Sequence, residues 1–188
     1  NLKTFSKEFK NFKIIHQDAL KIDYNKILKK NSIIVGNLPF NISSNLLMNW
    51  IFLHKWPPLY KKMYLMFQKE LGKRITSVVN NKSYGRLSVL AQSRCKIIEI
   101  VKAPSYIFNP KPKVDGIVLE FTPIISFVDI NIEKLKIVLK DAFKNRRKKI
   151  KNSLGNYSSY FDNWEEQKDL RPENLGVDLY CFLANKIK

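Results

Sequence analysis

Short apolar runs recur along this chain and alternate with segments of helical spacing. The runs that predict strands fall at residues 12–17, 32–35, 62–68, 95–101 and 114–121. Helical spacing appears at residues 1–11, 43–53, 69–76 and 87–92, and again from about residue 130 onward. Because strands alternate with helices, the pattern predicts a parallel α/β sheet followed by a helical C-terminal region.

The helix that follows the second predicted strand has a recognisable start and an apolar face. Either Ser43 or Ser44 can cap its N-terminus through the side-chain hydroxyl. Its apolar face consists of Leu46, Leu47, Trp50, Ile51 and Leu53. We therefore expect this helix to pack on the sheet directly after the loop at residues 36–42.

That loop, with the sequence Gly-Asn-Leu-Pro-Phe, follows a run of β-branched residues that predicts a buried strand. In α/β sheets, ligands bind beyond the carboxyl ends of the strands, where Asn37 and Asp18 both fall. Asn37 offers an acceptor oxygen, Pro39 stiffens the bend, and Phe40 offers a flat face. This set suits a planar heterocycle with an exocyclic amine, such as a flipped adenine. The tetrapeptide alone is more simply an ordinary turn, with Phe40 packed in the core.

Composition narrows the class of partner. The chain has 188 residues and a formal net charge of +18, which favours a polyanion such as nucleic acid. A lysine-rich proteome from an AT-rich genome explains the same excess without any ligand. Cys95 and Cys181 predict reduced core residues, and no Cys/His spacing indicates a metal site. With no signal peptide and no apolar run of about 18 residues, we expect a cytoplasmic protein without a membrane span.

Seven segments in order carry a resemblance to one family. They are IIHQDAL (14–20), VGNLPFNISSNLL (35–47), FQKELGKRI (67–75), YGRLSVLAQ (84–92), FNPKPKVDGIVLEF (108–121), FKNRRKKIKNSL (143–154) and RPENLGVDLYCFLAN (171–185). Together they resemble the ribosomal RNA adenine dimethyltransferases of the small subunit. The tail matches the related erythromycin-resistance methylases of large-subunit RNA less well.

The resemblance implies both a fold and an activity. The expected fold is a partial Rossmann-like, S-adenosylmethionine-dependent methyltransferase domain over residues 1–128, with a small helical RNA-binding domain over residues 129–188. The expected reaction transfers methyl groups from S-adenosylmethionine to N6 of two adjacent adenosines. These adenosines lie in a hairpin near the 3′ end of small-subunit ribosomal RNA. The expected partner is the immature small subunit, and we expect a monomer.

The resemblance also assigns roles to residues. Asp18, Ala19 and Asn37 resemble the cofactor-binding positions, although Asp18 also suits a helix N-cap. Asn37, Leu38, Pro39, Phe40 and Phe108 resemble the catalytic set. In that set, Asn37 and the Leu38 carbonyl accept hydrogen bonds from the target amine, and Phe40 stacks on the ring. Phe108 resembles a second aromatic wall, and its alternative is an aromatic packed at the edge of the fold.

Basic residues near the C-terminus support an RNA substrate. Residues 134–151 contain nine Lys and Arg and one acid, Asp141. The apolar stripe expected on this helix is Leu135, Val138, Leu139, Ala142, Phe143 and Ile150. The predicted RNA-binding residues are Lys111, Lys113, Lys144, Arg146, Arg147, Lys148 and Lys151. A solvated helix in a lysine-rich organism is the alternative.

The chain departs from the family pattern at its start. Family members open with a strand and a glycine-rich loop, and a second strand then ends in an acid that binds the cofactor ribose. No glycine precedes Gly36 here. We therefore expect an N-terminally truncated piece whose strand at residues 12–17 lacks its neighbours, which leaves backbone groups unpaired.

Two other functions stay open. A protein of the same fold that binds RNA as a ribosome-assembly or transcription factor could have lost catalysis, and Asn37, Pro39 and Phe40 count against it. A DNA adenine methyltransferase uses a similar loop, and the basic tail and the segment at residues 108–116 disfavour it.

Because the two cofactor-binding elements are missing, the 188 residues alone are expected to bind S-adenosylmethionine weakly or not at all. Isothermal titration calorimetry of the 188-residue chain checks this expectation. Adding the native preceding segment is expected to restore binding. Full-strength binding by the 188 residues alone would contradict the expected truncation.

Overall fold

Four strands form one open sheet in the part of the chain described by the computed structural model, which is residue 9 and residues 11–127 and 129–187. They are β1 (Ser32–Asn37), β2 (Tyr60–Gln68), β3 (Cys95–Ala103) and β4 (Gly116–Pro123). Their order across the sheet is β1-β2-β4-β3. The pair β1 and β2 is parallel, and β4 runs antiparallel to both β2 and β3.

The prediction of a parallel sheet is therefore wrong for β3 and β4. The α-helical crossover that a parallel pair needs is absent between them, because residues 104–115 carry only the short 3₁₀ turn Ser105–Ile107. The chain accordingly folds back on itself, and β4 lies between β2 and β3. The four strands themselves were predicted at these places in the sequence, with bounds that shift by two residues at most.

The strand predicted at residues 12–17 does not form. These residues have no regular secondary structure, and residues 11–18 are exposed. A lone strand gains no ladder hydrogen bonds to offset the entropy of ordering its backbone. The helix predicted at residues 1–11 lies mostly outside the described residues.

The strand β1 is less buried than its β-branched run predicted. Ile33 and Val35 are 59% and 76% exposed, whereas Ile34 between them is half-buried. Successive side chains of a strand point to opposite faces, so only one face of β1 packs against the described residues. The prediction of a buried strand is therefore wrong for Ile33 and Val35 within the described part of the chain.

The α-helices are α1 (Tyr24–Ile27), α2 (Ser43–Ile51), α3 (Lys69–Ile75), α4 (Arg86–Gln92), α5 (Ile132–Lys144), α6 (Trp164–Gln167) and α7 (Val177–Lys186). The serine cap predicted for α2 is wrong, because Ile42 occupies the cap position and makes no side-chain cap bond. Ser43 is the first helical residue, and its hydroxyl donates to the Phe40 carbonyl at 3.0 Å. No helix among the described residues has the length and apolar character needed to cross a membrane.

Two hydrophobic clusters hold these elements together. The first lies between α2 and the sheet and includes Leu47, Leu65 and Phe121, all fully buried. The second lies among the C-terminal helices and includes Leu139 of α5 and Tyr180 of α7. Residues Tyr84, Val89 and Leu90, at and around α4, belong to this second cluster. The helix α4 therefore joins the sheet to the C-terminal helices, whereas a domain boundary at residue 128 stays a prediction.

The helix predicted to run through residue 151 ends earlier. α5 ends at Lys144, and Asn145 leaves helical geometry with φ of −127° and ψ of 65°. Ile150 is still fully buried, but it sits in the separate 3₁₀ turn Ile150–Asn152. The rest of the predicted apolar stripe, from Leu135 to Phe143, is buried on α5 as expected.

The cysteine prediction is confirmed, because Cys95 and Cys181 are both buried free thiols. Burial raises the pKa of each thiol to about 12. Neither thiol therefore ionises appreciably at neutral pH, and both act as small apolar core residues.

One pair of substitutions on α5 tests this core. Leu139→Ala is expected to lower the free energy of unfolding by about 2–5 kcal/mol, because it opens a cavity in the second cluster. Ile137→Ala on the same helix is the matched control, since Ile137 is 51% exposed. The control is expected to change stability by only about 0.5 kcal/mol. Urea denaturation with equal midpoints for both variants would contradict this packing.

Candidate active site

The carboxyl ends of β1, β2 and β3 lie at the same edge of the sheet as the first residue of β4, and the site forms there. Asn37, the last residue of β1, pairs with Met66 of β2. Ala103, the last residue of β3, pairs with Gly116, the first residue of β4. Residues 104–115, which join β3 to β4, therefore lie at the same edge as the loop that follows β1.

A cavity of about 240 Å³ opens at this edge. It is lined by Asn37, Leu38, Pro39, Phe40, Met66, Phe108, Pro110 and Pro112. The structure thus brings together all five residues predicted as catalytic, although their positions span 72 residues of sequence from the first to the last. Asn37 is exposed at its rim, and Phe40 and Phe108 are half-buried.

The bend after β1 is fixed by local contacts. Leu38 is buried and turns back over Gly36, where an added Cβ would lie 2.6 Å from Leu38 Cδ2. The Pro39 carbonyl accepts a hydrogen bond from the Ile42 backbone N–H at 3.1 Å. Together with the Ser43 hydroxyl on the Phe40 carbonyl, these contacts tie the bend to the start of α2. Leu38 therefore anchors the loop, and it lines the cavity together with its neighbours Asn37, Pro39 and Phe40.

The opposite wall is held by Asp115, which the sequence reasoning missed. Its Oδ1 accepts from the Ser105 backbone N–H at 3.0 Å, and its Oδ2 lies 3.1 Å from Lys69 Nζ. The Ser105 N–H and the Lys69 ammonium hold the pKa of this carboxyl below its usual value. The Asp115 carbonyl also accepts from the Lys69 backbone N–H at 2.9 Å. Asp115 thus closes the segment that carries Phe108.

Met66 is the second residue that was missed, because its place depends on the register of β1 against β2. For Asp115, the sequence signals a turn, since an Asp-Gly pair ends the proline-rich segment, but it does not show which groups the carboxylate contacts. Pro110 and Pro112 restrict the backbone of that segment by fixing φ at two positions. The cavity wall that this segment forms is therefore stiffened by its prolines and closed by Asp115.

The lining of the cavity is chemically suited to a flat, amine-bearing ring. Its lining holds two aromatic rings, three prolines, a methionine, a leucine and one carboxamide. The Asn37 carboxamide has no hydrogen-bond partner among the described residues, so its oxygen is available to an amino group. None of the lining side chains titrates near neutral pH. The cavity can bind and orient an amine, but it offers no side chain that could act as a strong base.

The predicted cofactor residues Asp18 and Ala19 lie elsewhere and are not among the residues that line this cavity. Asp18 caps the 3₁₀ turn Ala19–Lys21, and its Oδ1 accepts from the Leu20 N–H at 3.0 Å. The Ala19 carbonyl accepts from the Tyr24 hydroxyl at 2.9 Å. Within the described residues, Asp18 therefore acts as a helix N-cap, which is the alternative role that the sequence allowed for it. The carboxylate is exposed and has further acceptor capacity, which fits the amino group of an adenine cofactor.

A comparison with known proteins decides the family. The model of the ribosomal RNA adenine dimethylase family matches residues 2–177. This chain belongs to the ribosomal RNA adenine dimethylase family. The fold agrees, since a crystal structure of a dimethyladenosine transferase from Plasmodium falciparum superposes with a TM-score of 0.78 at 23% identity, covering 96% of this chain and 74% of that one. The 23S rRNA methyltransferase ErmE is less similar, with a TM-score of 0.58 at 16% identity, covering 98% of this chain and 76% of that one.

Curated relatives of this dimethylase-family chain carry the name Ribosomal RNA small subunit methyltransferase A. The protein from Bartonella quintana (strain Toulouse) is 39% identical over 183 residues, which covers 95% of this chain and 66% of that protein. The protein from Blochmanniella floridana is 37% identical over 186 residues, covering 93% of this chain and 66% of the relative. The chain therefore spans about two thirds of the length of the curated relatives that it matches.

The predicted RNA-binding residues of this dimethylase-family member differ in whether their charged groups contact other residues of the chain. All seven are exposed, namely Lys111, Lys113, Lys144, Arg146, Arg147, Lys148 and Lys151. Arg146 Nη2 donates to the carbonyls of Lys82 and Tyr84, both at 2.7 Å, so it braces the chain internally. Lys151 Nζ lies 2.9 Å from Asp169, whose carboxylate also contacts Lys149 at 3.0 Å. The sequence alone could not show that Arg146 and Lys151 contact other residues of the chain.

The effect of Lys149 and Lys151 should be measurable as a lowered pKa of the Asp169 carboxyl. Lys151 and Lys149 lower the pKa of this carboxyl to about 2. The pairing therefore stabilises the fold above the ordinary carboxyl pKa, and this contribution is lost as pH falls through about 2. In Lys151→Gln, the Asp169 pKa measured by NMR should rise toward the ordinary value. Lys140→Gln, on the exposed face of α5, is the control, and an unchanged Asp169 pKa in Lys151→Gln would contradict the pairing.

Proposed function

We propose that the complete gene product transfers methyl groups from S-adenosylmethionine to N6 of adenosines in small-subunit ribosomal RNA. The cavity lined by Asn37, Phe40 and Phe108 carries this proposal, because it suits a flat ring with an exocyclic amine. Membership of the dimethylase family and the names of the curated relatives support the choice of adenine and of small-subunit RNA. The proposed targets are two adjacent adenosines in a hairpin near the RNA 3′ end, presented by the immature small subunit.

In this proposal the target base leaves its stack and enters the cavity. Phe40 stacks on one face of the ring, and Phe108 forms the second aromatic wall. The Asn37 carboxamide oxygen and the Leu38 carbonyl accept the two hydrogens of the N6 amine. The bend tied to α2 and the wall closed by Asp115 fix these groups before the substrate arrives. Positioning of this kind lowers the entropic part of the activation barrier.

When bound, S-adenosylmethionine would supply an electrophilic methyl group, whose bond to the sulfonium sulfur breaks to leave a neutral thioether. Asp18, Ala19 and Asn37 are the residues of this chain proposed to hold the cofactor. The adenine N6 lone pair is delocalised into the ring and is a weak nucleophile. Two acceptors on its hydrogens favour a more pyramidal nitrogen and stabilise the positive charge that develops there. Because the lining holds no strong base, the proton leaves to water after transfer.

Dimethylation sets a further requirement, because the singly methylated amine keeps only one N–H. One acceptor then loses its partner, and the added methyl group needs room. Met66 lines the cavity beside Asn37, and its flexible, unbranched side chain can adjust to a changed volume. We infer that Met66 accommodates the first methyl group while the second is transferred.

The decisive experiment measures N6-dimethyladenosine in unmethylated small subunits incubated with the complete gene product and labelled cofactor. Asn37→Ala is expected to lower turnover by about 10²-fold or more while RNA binding is retained, because it removes an acceptor that acts on the developing charge. Asn45→Ala is the matched control, since Asn45 is an exposed asparagine of α2 outside the cavity. The control should keep full turnover.

Three other outcomes would count against the proposal. RNA binding without any methyl transfer by the parent protein would favour an assembly or transcription factor of the same fold. Methylation of DNA in place of RNA would favour a DNA adenine methyltransferase. Full turnover in Asn37→Ala would place the target amine elsewhere.

A further inference from the structure

Two small residues lie next to Met66, which lines the candidate active site. Gly116 begins β4 and pairs with Ala103, the last residue of β3. An added Cβ on Gly116 would lie 3.4 Å from Met66 Sδ and 3.3 Å from Ala103 Cβ. The thioether of Met66 therefore packs into space that is open because Gly116 has no side chain. We call this space, bounded by Gly116 and Ala103, the methionine recess.

The methionine recess lies on the face of the sheet to which Asn37 belongs. Asn37 pairs with Met66, and Met66 pairs with Val118 of β4. Paired residues of neighbouring strands share a face, and so do residues two apart along one strand. Gly116 lies two residues before Val118, so Asn37, Met66 and position 116 follow one another across a single face.

The backbone does not require glycine at position 116. None of the glycines among the described residues has a positive φ, so a larger residue could adopt the same backbone conformation. What a side chain at this position would meet is Met66 and the buried Ala103. The effect of Gly116 is therefore to leave space for Met66.

The order of the strands decides in which direction a displaced Met66 would move. The strand β2, which carries Met66, lies between β1 and β4. A side chain at position 116 of β4 would press the flexible thioether toward β1, and therefore toward Asn37. The Asn37 carboxamide is the proposed acceptor for the target amine. The displaced thioether would thus occupy the space beside that amine, where the first methyl group has to fit.

We propose that Gly116 and Ala103 determine how many methyl groups the target amine receives, because their small size keeps the Met66 thioether away from Asn37. This inference rests on the proposed function and adds to it the residues that position Met66. In the second transfer, N6 forms a bond to a second methyl carbon, and the bond of that carbon to the sulfonium sulfur breaks. The remaining N–H proton leaves to water. Gly116 and Ala103 are positioning residues, since they act through Met66.

The test fills the methionine recess in the complete gene product. Gly116→Val adds a β-branched side chain that suits a strand, and Gly116→Ala adds the Cβ alone. Gly155→Val is the matched control, because an added Cβ at Gly155 has no atom within 4 Å. Each protein is incubated with unmethylated small subunits and cofactor, and mass spectrometry follows N6-methyladenosine and N6,N6-dimethyladenosine over time. Circular dichroism checks that each variant is folded.

Gly116→Val should accumulate N6-methyladenosine, with the second transfer slowed about 10-fold or more relative to the first. One methyl group in a filled pocket changes specificity by about 10- to 200-fold. Gly116→Ala should shift the product ratio less and in the same direction, and it decides the matter if Gly116→Val does not fold. Gly155→Val should keep the parent ratio.

A double variant tests whether Gly116 acts through Met66. Combining Gly116→Val with Met66→Ala should restore dimethylation, because the shortened side chain no longer reaches the space beside the amine. An unchanged product ratio in the folded Gly116 variants would overturn the role of the recess. Failure of Met66→Ala to restore dimethylation would overturn it as well.

Nucleoside binding separates the recess from the proposed function. NMR titrations of the complete gene product with adenosine and with N6-methyladenosine give the two Kd values. Gly116→Val should weaken binding of N6-methyladenosine about 10-fold or more relative to adenosine. If this selectivity appears but the parent transfers no methyl group, the proposed function fails and the recess stands. If the parent dimethylates its substrate and Gly116→Val binds both nucleosides as the parent does, the recess fails alone.

Discussion

The parallel pairing of β1 with β2 is the constraint on which the site depends. Its register sets Asn37 beside Met66 at the carboxyl edge of the sheet. Because β4 runs antiparallel to β2, the chain must cross that same edge between β3 and β4, and it brings Phe108 with it. A shift of one residue in the β1 register would turn Asn37 to the other face. The cavity is therefore a consequence of strand pairing, and the loops supply its chemistry.

The bend after β1 could be predicted from the sequence, because Gly, Pro and a preceding β-branched run act locally. The chemistry of Asn37 and Phe40 could also be read from side-chain type alone. The roles of Met66 and Asp115 could not, since each depends on a partner brought close by the sheet. The same limit explains why β3 and β4 were expected to be parallel. The direction of β4 relative to β3 depends on the segment that connects them. The local spacing of apolar and polar residues does not show that direction.

The basic residues illustrate the difference between charge and position. A run of nine Lys and Arg over residues 134–151 was visible in the sequence, but it was read as a single helix. The structure ends that helix at Lys144, turns Arg146 inward onto two carbonyls, and pairs Lys151 with Asp169. Lys73 and Arg86, which lie far from this run in sequence, line a concave surface near the active edge instead. Tertiary contacts thus determine which cations line a surface that a ligand can reach.

A crystal structure of the protein with a short adenosine-containing RNA tests the central claim most directly. The account predicts that the everted adenine lies between Phe40 and Phe108, with its N6 amine within hydrogen-bond distance of the Asn37 carboxamide oxygen and the Leu38 carbonyl. An adenine bound outside this cavity, or bound within it with N6 turned away from Asn37, would contradict the account.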